Sequence, residues 1–218
     1  MSKVELTKEL LIREAERFAR LESRHDEPLL YGVTDGKAVG TYLEHKFEKT
    51  LHRKYIYLEG SSAKGIDFPV LKVDLKVTSV RQPQSSCPFK SARQKIYGLG
   101  YSLLIFVYEK ADDDRKRTAN LRIVHAVYVD EERTADYQTT YGLRKIVENG
   151  GNVDDVIGFF AERLLPISDI ECEKLAEEVL ARPPDIGYLT ISNALQWRLQ
   201  YTRVIQEAGR VDGIVKVV

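Results

Sequence analysis

The sequence predicts an α/β protein: a mixed central β-sheet flanked by helices, followed by a mainly helical C-terminal part. Three observations carry this. Segments of helical and of strand period interleave through residues 38–129. Residues 70–80, VLKVDLKVTSV, alternate apolar and polar side chains as a half-buried strand does. Beyond residue 135 the apolar positions recur with helical spacing.

Taken in order, residues 5–24 place Leu6, Leu10, Phe18 and Leu21 on one stripe and predict an amphipathic helix. A loop follows through His25-Asp26-Glu27-Pro28 and Thr34-Asp35-Gly36. Residues 38–52 return to helical period, with Leu43, Phe47 and Leu51 four apart. Tyr55 to Leu58 reads as a strand that Gly60-Ser61-Ser62 ends. Along 70–80, Leu71, Val73, Leu75 and Val77 share one face, and Lys72, Asp74, Lys76 and Thr78 the other. The polar loop from Arg81 to Pro88 leads to a helix from about Lys90 to Leu99. Leu103 to Tyr108 is a buried strand, 112–117 a charged hairpin tip, and Leu121 to Val129 a further strand. Segments 137–148, 153–165 and 168–181 are helical, and Arg182-Pro183-Pro184-Asp185 is a linker. Residues 188–208 form a last helical region, and Ile214 to Val218 a short strand. This divides the chain into a core at 1–135 and a helical region at 136–218.

Composition narrows the function. The 218 residues are 43% hydrophobic and 30% charged, which excludes collagen, wholesale disorder and a bare coiled coil. Lys+Arg and Asp+Glu are both 33, so any nucleic-acid surface is local rather than a uniform basic coat. Cys87 and Cys172 stand too far apart in sequence for a zinc spacing. His25, His45, His52 and His125 form no zinc pattern and read as surface or phosphate-contacting residues. The charged N-terminus lacks the apolar stretch of a signal peptide, and the longest apolar run is far short of a membrane span. The expectation is a cytoplasmic protein of a reducing compartment, without a membrane partner.

The informative stretch is Gly65 to Ser79. Asp74 and Lys76 are two apart in a strand and share a face; Asp67 lies just upstream, within reach through a tight connection at Phe68-Pro69. Two converging carboxylates make a hard-oxygen site suited to Mg2+. An ammonium beside them can orient a water or neutralise charge on a phosphate. The plain alternative is an exposed strand face with alternating salt bridges.

With its preceding helix and following basic helix, this segment resembles the PD-(D/E)xK nuclease superfamily, in particular its type II restriction endonucleases. The family order of helix, three strands, helix and strand corresponds to residues 38–108. The resemblance implies that Asp67 and Asp74 bind metal and that Lys76 is catalytic. It implies an assisting acid on the preceding helix, for which Glu44 and Glu48 are both candidates and Glu44 is preferred. The residue before Asp67 is Ile66 rather than proline, and Gln94 precedes Tyr97 one position early for the exonuclease-like Q-x-x-x-Y motif.

The resemblance makes double-stranded DNA the partner and a homodimer the working form, with residues 5–24 or the C-terminal helices as dimer face. Residues 64–95 hold Lys64, Lys72, Lys76, Arg81, Lys90, Arg93 and Lys95 against Asp67 and Asp74, a local charge of +5. The loop residues Arg81, Gln82, Gln84, Ser85 and Ser86 carry groups that read base edges, and Lys90, Arg93, Gln94 and Lys95 lie on the next helix. From residue 186 a winged helix would place Arg198, Gln200, Tyr201 and Arg203 on DNA; a single helix packed by Leu195, Leu199 and Ile205 is preferred. The rival functions are a repair or recombination nuclease and a non-catalytic helix-turn-helix protein.

Overall fold

The computed structural model describes residues 3–60, 65–87, 91–192 and 197–218. In chain order the elements are β1 (Val4–Glu5), α1 (Lys8–Glu22), β2 (Asp26–Glu27), α2 (Gly36–His52), β3 (Tyr55–Ile56), β4 (Val73–Ser79) and β5 (Gln84–Ser86). Then come α3 (Ala92–Tyr97), β6 (Ser102–Asp113), β7 (Thr118–Val129), α4 (Tyr137–Glu148), α5 (Val153–Glu162) and α6 (Asp169–Ala181). The chain closes with β8 (Thr190–Ser192), β9 (Arg198–Gln200), α7 (Thr202–Glu207) and β10 (Ile214–Lys216).

The main sheet runs β10-β7-β6-β4, with β2 added to β7. Strand β4 is parallel to β6; β6-β7 and β7-β10 are antiparallel. The sheet is therefore mixed, as the interleaved periods predict. Two-residue alternation along β6 explains its burial on both faces. Leu104, Phe106 and Tyr108 enter a core beneath α1 and α2, where Phe18, Phe47 and Phe106 cluster with ring centroids 5.1–5.7 Å apart. Leu103, Ile105 and Val107 enter a second core closed by Leu189, Ile191, Trp197, Leu199, Tyr201 and Val204. Helices α3 to α6 build a third core around Ile96, Leu143, Val156, Phe160 and Val179.

Helix α2 buries Leu43, Phe47 and Leu51 as their spacing requires, with Asp35 capping its first turn. Helix α1 differs slightly. Its buried stripe runs through Leu11, Ala15, Phe18 and Ala19, and Leu21 is exposed. That face packs into the chain's own core.

The larger correction concerns residues 188–208. Helix α7 is only six residues long, and two segments before it are strands. Strand β9 pairs antiparallel with both β8 and β5, giving a small sheet ordered β5-β9-β8. Leu199 is fully buried from a strand, not from a helix. Neither the single helix nor a winged helix describes these residues; Leu195 lies outside the described residues. Pairing of β9 to β5 and of β10 to β7 ties the chain's end to its middle.

Candidate active site

Strand β4 starts later than its alternation predicts, and the reason creates the site. Residues 68–73 form a tight turn: Phe68 and Val73 exchange backbone hydrogen bonds of 2.9 and 3.2 Å. Lys72 closes the turn with φ 51, in the left-handed region. The chain thus doubles back, and Asp67 lies beside β4 rather than upstream of it. Its Oδ2 accepts a 2.7 Å hydrogen bond from the Leu75 backbone N–H. This brings Asp67 within hydrogen-bonding reach of the Asp74 carboxyl.

Asp74 is 1% exposed, although it sits on the face opposite Val73 and Leu75. Lys76 Nζ stands 2.6 Å from Asp74 Oδ2. It approaches outside hydrogen-bonding geometry, and that buried oxygen makes no hydrogen bond among the described residues. Burial pushes the Asp74 carboxyl up to about 7; the Lys76 charge opposes this, and Asp67 reinforces it. Two carboxylates thus meet beside one ammonium.

Glu44 and Glu48 flank the pair from α2. Both are raised above the ordinary glutamate range, first by burial and then by the charge of Asp67. Glu44 also feels the Lys76 charge, which opposes its rise. Among the described residues no three His, Cys, Asp or Glu side chains gather tightly enough to hold a metal ion. Glu44 therefore stands beside the Asp67–Asp74 pair rather than within it. The donor set still fits Mg2+, which keeps several waters and binds through one or two carboxylates.

The expected DNA contacts fare unevenly. Arg81 and Gln82 are exposed in the turn after β4. Gln84, Ser85 and Ser86 lie on β5 rather than in a loop, and the Ser85 hydroxyl turns inward to that of Tyr201. Lys90 and Lys64 lie outside the described residues. Lys95 is only 5% exposed, with its ammonium 5.7 Å from the Trp197 ring centroid. Burial lowers its pKa. Arg93 forms a two-pronged ion pair with Glu178 of α6, 2.7 Å at one prong, and stacks on Tyr97. Gln94 is half-buried, with its side-chain oxygen out of contact with water. Of the α3 residues assigned to DNA, Arg93 is thus paired to α6 and Lys95 is buried beside Trp197. Tyr201 is fully buried, and Arg203 lies 3.6 Å over the Tyr137 ring, so neither faces a groove. The charged tip is paired within the chain: Lys116 meets Asp26 of β2, Lys110 meets Asp112, and Tyr31 donates to Asp114.

Sequence reasoning missed Asp136. Its carboxylate caps α4 through Thr139 and accepts from the Ile191 N–H at 2.7 Å, while its own N–H donates to the Lys95 carbonyl. The buried side chain joins α4 to β8, and the backbone of the same residue ties both to α3. The only signal was an Asp three residues before a Thr at a helix start.

The sequence profile of the type II restriction enzyme NspV matches residues 5–216. The chain belongs to the NspV family of type II restriction enzymes. A curated relative, the type II restriction enzyme NspV of Nostoc sp., is 63% identical over 212 residues, covering 97% of this chain and 96% of that protein. No solved structure matches the chain. The family is one of sequence-specific DNA endonucleases, and this chain is a site-specific deoxyribonuclease. The match over almost the whole chain is to a restriction enzyme, not to a repair nuclease or a non-catalytic binder. Among the described residues no helix is long and apolar enough to cross a membrane.

Proposed function

We propose that this restriction enzyme hydrolyses double-stranded DNA with Mg2+ held by Asp67 and Asp74, assisted by Glu44. Lys76 positions the attacking water. The observation that carries the reading is Asp74: buried, short of a hydrogen bond at Oδ2, and pushed up by burial and by Asp67. A divalent cation relieves that excess charge without a bound proton. Bound Mg2+ supplies Lewis-acid polarisation of the phosphoryl oxygen and a water of lowered pKa.

The chain's own residues do the rest. The turn at 68–73 fixes Asp67 against Leu75, so the carboxylates meet without loop rearrangement. Asp74 keeps the Lys76 ammonium in the site, where it orients a water and neutralises charge developing on the phosphate. Glu44 is favoured over Glu48 because it senses both Asp67 and Lys76. We take the working enzyme to be a cytoplasmic homodimer, because a two-fold dimer matches a palindromic site.

Incubation of a circular plasmid with the protein tests this. Discrete fragments with Mg2+, none with EDTA, and none from Asp74→Asn support it. Undiminished cleavage by Asp74→Asn contradicts the metal assignment. Light scattering giving a monomer both free and on DNA contradicts the dimer.

A further inference from the structure

The small sheet β5-β9-β8 has an inward and an outward face, and its register assigns each residue. Thr190, Gln200 and Gln84 form one cross-strand row. Ser192, Arg198 and Ser86 form another. The row between them, Ile191, Leu199 and Ser85, turns inward: Ile191 and Leu199 enter the second core and Ser85 meets buried Tyr201. The six outward residues alternate with these and share the opposite face. They supply two carboxamides, a guanidinium and three hydroxyls, with no carboxylate and no large apolar group. Gln and Ser gain little from a strand for its own sake, where β-branched and aromatic residues fit better. Arg198 Nη1 donates to Ser86 Oγ at 3.2 Å, which holds the guanidinium across the face.

This sheet is fastened to the catalytic strand. The Thr78 hydroxyl accepts from the Gln84 N–H at 3.1 Å, and Tyr201 donates its N–H to the Pro83 carbonyl at 2.9 Å. Thr78 is two residues beyond Lys76, or about 7 Å along an extended strand.

We propose that the outward face of β5-β9-β8 is the enzyme's base-reading surface, with Gln84, Gln200 and Arg198 meeting base edges in the major groove. The inference rests on the endonuclease reading of the site. The groove admits a β-ribbon; carboxamides pair bidentately with adenine and guanidinium with guanine. The hydroxyls of Thr190, Ser86 and Ser192 serve bases or nearby phosphates. Coupling through Thr78 sets the base contacts at a fixed offset from the scissile phosphate, which fixes where the cut falls relative to the site.

The test compares wild type, Gln84→Ala, Gln200→Ala, Gln200→Glu, Arg198→Ala and Arg198→Lys. Wild-type cut ends on long unmethylated DNA are sequenced first, and define the cognate duplex. Cleavage and affinity are then measured on that duplex, on its single-base variants and on random DNA. Each substitution is expected to lower cognate affinity about tenfold to a hundredfold. Random-DNA affinity should fall much less, so discrimination narrows at one symmetric base-pair position. Arg198→Lys should fail to restore it, because an ammonium cannot reproduce the fork.

Equal loss on cognate and random DNA, with a reduced salt slope and rescue by Arg198→Lys, would mark phosphate contacts and overturn the proposal. Unchanged site preference in the Gln200 variants and Arg198→Ala would overturn it too. The glutamate variant keeps the glutamine shape, so its result stands if an alanine variant misfolds. Wild type that never cuts DNA defeats the nuclease reading itself, an outcome separate from a wild type that cuts beside variants of unaltered preference.

Discussion

Two groups of buried carboxylates show how differently one fold treats negative charge. Between α1 and α2, three buried acids are answered. Glu14 accepts from Lys54 at 2.6 Å and from Tyr55 at 3.0 Å; Glu22 accepts from Lys46 at 2.8 Å; Glu27 accepts from Tyr42, Lys46 and the Leu29 N–H. Burial alone would raise Glu14 and Glu27, yet their donors outweigh it and hold both below the ordinary glutamate value. At β4 the balance reverses. Asp67 and Asp74 share one nearby ammonium, and burial leaves Asp74 at about 7. The first group is a structural clasp; the second, on the function proposed above, is where a cation would add the missing positive charge. Asp74 is the more deeply buried and has fewer donors, and both differences raise it while Glu14 and Glu27 are lowered.

Substitutions should separate the two groups, most strongly at Asp74. Asp74→Asn should lower the cleavage rate more than about a hundredfold, because losing a ligand costs at least as much as losing a partner behind one. In EDTA at pH 8 the same variant should melt higher than wild type. A carboxyl raised from 3.8 to about 7 on folding favours the native state most at low pH. That stability declines as pH rises between those values, by up to roughly 4 kcal/mol. Asparagine removes the penalty, and thermal melts at pH 8 check it.

Lys76→Ala should shift metal-free stability the other way, lowering it by about 3 kcal/mol, since a buried pair loses its cation. Denaturant melts in EDTA measure this, and cleavage should fall as well. Opposite signs for Asp74→Asn and Lys76→Ala sharpen the contrast; equal signs break it.

In the clasp, Glu14→Ala should cost about 2 kcal/mol by stranding Lys54 and Tyr55, and should leave the cleavage rate per folded molecule unchanged. Its pH signature is also opposite. The stability that Glu14 and Glu27 contribute is present above the ordinary glutamate value of 4.5 and is lost as pH falls through their lowered values. Melting of wild type from pH 6 downward should show that loss, reduced in Glu14→Ala.

The smallest effect belongs to Arg93. Its ion pair with Glu178 is half-exposed, so Arg93→Ala should cost about 0.5 kcal/mol and leave the salt dependence of DNA binding unchanged.

The juxtaposition of Asp67, Asp74 and Lys76 was legible because it is local. Asp74 and Lys76 share a face by strand alternation alone, and Asp67 lies only seven residues from Asp74. The helix spacing of Leu43, Phe47 and Leu51 likewise placed α2, and with it Glu44, on the sheet. What escaped was long-range. Ser85 meets Leu199 across more than a hundred residues, and no local pattern announces that pairing. Residues 198–207 keep some apolar recurrence, yet Leu199 answers to strand packing and only Val204 to a buried helix face. The surroundings of Lys95 and Arg93 are long-range as well. Both are basic on a short helix, but burial beside Trp197 and the acid of a later helix decide their roles.

The central claim is that the Asp67–Asp74 pair is a cation site left unsatisfied by the protein. Melting of EDTA-stripped wild type and Asp74→Asn at pH 8, with and without saturating Mg2+, tests it most directly. Mg2+ should raise the wild-type melting temperature and leave that of Asp74→Asn unmoved. An equal rise in both proteins would contradict it.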